Sequence, residues 1–181
     1  MSKARKTFDS SIQDAEVLLA HFDALNTKPP PDNLEVLKRA GLIMALTAWE
    51  TYVEDRAREE VHTRLSAHNG SHLAKLVLGR LEAELKRFHN PNSDKTRQLF
   101  FDYLEVDITS YWEWPNVDTN KAKKTLDDLI AKRGDAVHRS KPRNTASSAP
   151  HLVKREELDK AIRFLKCLVD ATEESLLHNE R

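Results

Sequence analysis

The stretch that decides the fold is Leu34 to Ser66, LEVLKRAGLIMALTAWETYVEDRAREEVHTRLS. Its apolar positions Leu34, Leu37, Gly41, Leu42, Ala45, Leu46, Trp49, Tyr52, Val53, Ala57, Val61 and Leu65 recur at steps of three and four, which puts them on one face of an α-helix. No proline interrupts the run, and Glu and Arg fill the opposite side, with Glu54 and Arg58 spaced as an i,i+4 pair. At 1.5 Å per residue the helix is about 50 Å long. A helix of that length is the spine of a bundle or the face of a dimer.

Helical spacing continues on both sides of this segment. Phe8, Ile12, Ala15, Leu19, Phe22 and Leu25 form an apolar stripe that predicts a first helix from near Asp9 or Ser10. It must end before the three prolines 29–31, which have no amide donors and force an extended path. After Asn69-Gly70-Ser71, the spacing predicts helices over Leu73 to Phe88, Asp94 to Leu104, Asn120 to Val137 and Leu158 to Leu176. The polar turn Asn90-Pro91-Asn92, an ordered loop holding Tyr111, Trp112 and Trp114, and a Ser/Pro-containing hinge from Ser140 to Pro150 separate them. The expected fold is all-α, a single-domain bundle of five to six helices with one long second helix, over residues 1–181 with a core at about 8–177.

Composition agrees and closes off several classes of function. Four Gly and seven Pro in 181 residues are too few for the turns of a many-stranded sandwich or barrel. The 29 Lys+Arg and 29 Asp+Glu cancel, so the chain lacks the overall basic charge of a protein that coats DNA nonspecifically. One cysteine, Cys167, excludes an internal disulfide and a cysteine-rich zinc site. No apolar run approaches the ~20 residues needed to cross a bilayer, and nothing near Met1 resembles a signal peptide, so a cytoplasmic protein that does not enter the membrane is expected. His62, His68 and His72 are not completed by a carboxylate or cysteine, and no metal site is expected.

One late stretch departs from what a bundle helix needs. Between Lys121 and Arg143 there are eight basic residues and three acids, and Lys132, Arg133, Arg139 and Lys141 crowd round Asp135 and His138. Such an excess binds anions. In an unbroken helix, residues five apart are rotated by about 140°. Convergence of Arg133 and His138 therefore calls for a break, and Gly134 is the place where it costs least. Brought together, a permanently charged planar fork and an imidazole suit cleavage of RNA. The histidine moves the proton of the 2′-hydroxyl or of the leaving 5′-oxygen, and the arginine stabilises the phosphorane. This chemistry requires no cofactor.

Arg133-Gly134-Asp135-Ala136-Val137-His138 resembles the Arg-x(4 to 6)-His motif of the HEPN superfamily, all-α ribonucleases and RNA-binding domains of prokaryotic toxin and antiviral systems. Ala45-Leu46-Thr47-Ala48-Trp49-Glu50-Thr51-Tyr52-Val53-Glu54 is similar to the second helix of the RiboL-PSP-HEPN branch, and with helix order included the resemblance spans roughly Phe8 to Leu177. It implies a metal-independent endoribonuclease, working as a homodimer with the Arg133 and His138 pairs of two subunits facing each other. On that reading Arg133, His138 and Asp135 are the catalytic set, Lys132, Arg139 and Lys141 hold the RNA backbone, and Glu50 supports the motif. An antitoxin or another defence protein is the implied partner besides RNA. Where many members carry Asn, Asp or His directly after the arginine, Gly134 stands here. That departure is the feature favouring the alternative, a dimeric HEPN-like module that binds RNA or protein without cutting.

Overall fold

A computed structural model describes residues 1–27, 31–138 and 153–178; of Asp32, Asp135, Val137 and His138 only the backbone is described. The described residues form α1 (Lys3–Leu25), α2 (Glu35–Arg64), α3 (His72–Leu85), α4 (Ser93–Leu104), α5 (Thr119–His138) and α6 (Arg155–His178), with short 3-10 turns between some of them. They make an all-α bundle. The only β-type pairing among them is one isolated bridge, Trp114 to Val117. None of the helices is long and apolar enough to cross a membrane.

α2 is the spine, and it packs against each of the other five helices. Gly41, Leu42, Ala45, Leu46, Trp49, Tyr52, Val53, Ala57 and Val61 are all buried along it. At Gly41 α6 comes close: a Cβ there would lie 2.8 Å from Leu158 Cδ2. The buried polar residues of α2 are paired. Arg56 contacts Glu60 one turn on and Glu173 of α6 at 2.9 Å, and Tyr52 donates to the same Glu173 carboxylate at 3.0 Å. The expected Glu54–Arg58 pair gives way to better geometry, because Arg58 donates to Asp55 and to Glu82 of α3, each at 2.7 Å.

α1 begins at Lys3, earlier than its apolar stripe predicts. Ser2 caps it by accepting from Arg5 N at 2.9 Å, and the Glu59 carboxylate takes the orphan amides of Lys3 and Ala4. The Glu59 part of this cap, coming from another helix, leaves no local signal. Trp112 is fully buried, donates to Thr172 at 3.0 Å and stacks edge-on to Trp49 at 6.0 Å, so it belongs to the core. Trp114 is half-buried against Phe164, Tyr111 is exposed, and Cys167 is half-buried in α6.

Candidate functional site

The site grows from the polar face of α2. Thr47, Glu50 and Glu54 follow one another at steps of three and four, so they share one side of the helix. The turn between α3 and α4 crosses this side. Phe88 and Pro91 are buried, and Trp49 Nε1 donates to the Pro91 carbonyl at 3.0 Å. Asn90 adopts the left-handed conformation at φ 54°, a region non-glycine residues seldom enter and Asn tolerates best. Asn92 then caps α4 by accepting from Lys95 N at 2.9 Å, and Lys95 Nζ reaches back to the His89 carbonyl at 2.7 Å. The turn is anchored on every side.

α5 closes the third side. Asp118 caps its start by accepting from Lys121 N at 2.8 Å, and Ala122 and Leu126 seat it on the core. Asp127, near its middle, accepts from Ser93 N at 2.8 Å and Ser93 Oγ at 2.9 Å, which ties α5 to the α4 start. Farther along α5, Arg133 reaches the Thr47–Glu50 face. Its Nη1 donates to Glu50 Oε2 at 2.7 Å and to Asn90 Oδ1 at 2.6 Å, while Nη2 lies 3.4 Å from Thr47 Oγ1. The side chains of Arg133 and Glu50 are only 18% and 16% exposed.

Glu50 is shared. Its Oε1 lies 3.6 Å from Nδ1 of His89, an imidazole that is well exposed, and its Oε2 also accepts weakly from Asn90 N at 3.4 Å. Burial pushes the Glu54 carboxyl above its usual range, and the Glu50 charge beside it adds to the effect. The arrangement is a guanidinium, aimed by fixed acceptors and open on one side, next to an exposed imidazole. Such a fork receives a phosphate oxygen well.

The expected break at Gly134 is absent: α5 continues through it to His138. Gly134 has open space around it, and no contact there requires a missing side chain. Arg133 and His138 thus keep helical register, about 140° apart around the axis. Helix propagation, one hydrogen bond gained for each residue fixed, outweighs the modest propensity cost of one glycine. The side chains of His138 and Asp135 lie outside what is described, as do Arg139 and Lys141 altogether. Lys132 is placed and its ammonium is paired with Glu157 of α6 at 2.5 Å. Burial raises the Glu157 carboxyl, but Lys132 and the Lys154 amide outweigh it and hold it below the usual range.

Glu50 stands where a supporting residue was expected. Thr47, His89 and Asn90 are additional, and their signals were faint. Thr47 precedes Glu50 by three on the polar side of α2, whereas Asn90 reads in sequence only as part of a turn. Among the described residues no three His, Cys, Asp or Glu side chains gather as a metal site needs, and His62, His68 and His72 form no such group.

Fold and site together define a small helical domain built round an arginine that three chain segments hold in place. The chain belongs to the RiboL-PSP-HEPN family, whose model matches residues 10–178, and is therefore a HEPN-type, ribonuclease-like domain. No curated protein and no solved structure matches it significantly.

Proposed function

We propose that this protein is a metal-independent endoribonuclease that cuts single-stranded RNA as a homodimer, in a bacterial toxin or phage-defence system. The 2′-hydroxyl attacks the adjacent phosphorus and the P–O5′ bond breaks, leaving a 2′,3′-cyclic phosphate and a 5′-hydroxyl. Arg133 stabilises the phosphorane and His138 transfers a proton. Asp135 positions one of them, while Arg139, Lys141 and Lys132 hold the backbone, Lys132 after exchanging Glu157 for phosphate. RNA is the substrate, and an antitoxin or other defence protein is the regulatory partner.

The observation that carries this reading is the immobilised Arg133. Glu50, Asn90 and Thr47 hold its fork at a partly open surface. Preorganised donors of this kind contribute to catalysis because they need no rearrangement as charge develops. The homodimer rests on the family, whose domains are often dimeric.

The test is cleavage of single-stranded RNA by purified protein in the presence of a chelator, with cyclic phosphate among the products. Arg133→Ala and His138→Ala should each abolish cutting while the dimer persists by light scattering. Cutting at the wild-type rate in either variant ends the proposal. The second reading, a non-catalytic RNA-binding or protein-interaction module, is favoured by the Glu50 carboxylate that offsets the Arg133 charge and by Gly134 after the arginine. Salt-sensitive RNA binding without cleavage selects it.

A further inference from the structure

We propose that His89 is a second proton-transfer residue of the Arg133 site, carrying whichever of the two proton transfers His138 does not. This rests on the ribonuclease reading and extends it to a residue outside the family motif.

The reaction has work for two such groups. One proton leaves the 2′-hydroxyl as the 2′-O–P bond forms, and another must reach the 5′-oxygen as the P–O5′ bond breaks. No electron is gained or lost, and the protons balance either with one group carrying the proton across or with one group accepting and another donating, the division of labour proposed here. The motif supplies a single imidazole per chain besides its arginine. His89 supplies another beside it.

Three observations place it there. Glu50 binds Arg133 through Oε2 and faces His89 Nδ1 through Oε1, so one carboxylate spaces the guanidinium and the ring. The His89 side chain is 69% exposed, open to a substrate held by Arg133. The backbone that presents it is over-determined for a surface turn: left-handed Asn90 bonded to Arg133, Pro91 bonded to the buried Trp49, and the His89 carbonyl itself bonded to Lys95. Unfavourable backbone conformations of this kind persist only where the surroundings enforce them, and they concentrate at functional sites. The charged groups round the ring are Glu50 and Glu54 from α2, Lys95 from α4 and Arg133 from α5.

The experiment compares wild type, His89→Gln and Arg133→Ala with chelator present. Two substrates are used: a short single-stranded RNA, and uridine 3′-(4-nitrophenyl phosphate), whose leaving group needs no proton. His89→Gln is expected to lower kcat on RNA by about 10²- to 10⁴-fold and to remove one limb of the pH–rate profile. It should leave the melting temperature and the affinity for a 2′-deoxy oligonucleotide as in wild type. Rescue on the nitrophenyl ester makes His89 the acid, and equal loss on both substrates makes it the base. Either supports the proposal. A His89→Gln protein that retains both limbs and cuts within about threefold of wild type, while Arg133→Ala is inactive, overturns it alone. A wild-type protein that cuts no RNA overturns it together with the ribonuclease reading.

Discussion

Replacing Glu50 and Arg133 singly and together measures the contact on which the site is built. With charge centres about 4 Å apart and an effective dielectric near 20, the gross attraction is about 4 kcal/mol. Both side chains are more than four-fifths buried, so desolvation takes back a good part of that. The pair nevertheless exceeds the ~0.2–1 kcal/mol of an exposed ion pair. Asn90 strengthens it by fixing Arg133 Nη1 from a second direction. The net coupling between Glu50→Gln and Arg133→Met is expected at about 2 kcal/mol, from urea unfolding of wild type, both single variants and the double variant. Each single variant should melt about 4–8 °C lower, the shift appropriate to a chain of this size. The double variant should recover part of the loss, because neither charge is then stranded. A coupling below about 0.5 kcal/mol would show that the pair is a loose surface contact, and Arg133 would lose its claim to be preorganised.

Gly134→Ala should stabilise the protein by about 0.5–1 kcal/mol, since the residue is helical with open space round it, and should leave RNA cleavage unchanged. A drop in melting temperature or in activity would mean that α5 does break there. Glu54→Gln should raise stability at pH 7 by less than about 1 kcal/mol. The folded-state carboxyl titrates above its unfolded value, so stability falls as pH rises through that window; denaturation at pH 3 should show no gain, and an equal gain at both pH values would refute the sign. Trp49→Phe deletes a buried donor to Pro91 and part of a fully buried ring, at a cost of about 2–3 kcal/mol. Amide exchange of His89 and Asn90 should accelerate beyond the global change, and unchanged protection there would show that Trp49 does not hold the turn.

The sequence by itself determined the helices, because amphipathic periodicity is a local pattern and the burial of α2 demands the apolar residues that Leu34 to Ser66 displays. It also marked Arg133, through a charge imbalance that no core helix has reason to carry, and Glu50, through its place in the Trp49-Glu50-Thr51-Tyr52 stretch. The start of α1 was not legible in its stripe, because Ser2 and, from another helix, Glu59 satisfy amides ahead of the first apolar residue of that stripe. Tertiary structure alone decided what surrounds the arginine. Thr47, Glu50, Asn90 and Arg133 span 86 residues between the first and the last, and they meet because Trp49 pins the turn at Pro91 while Asp127 pins α5 to α4. It also decided that α5 runs on through Gly134, since a glycine's weak helix propensity is a small local term beside continued hydrogen bonding and the seating of Ala122 and Leu126 in the core. Contacts across the chain are set by packing summed over the whole bundle, and no window of sequence contains that sum.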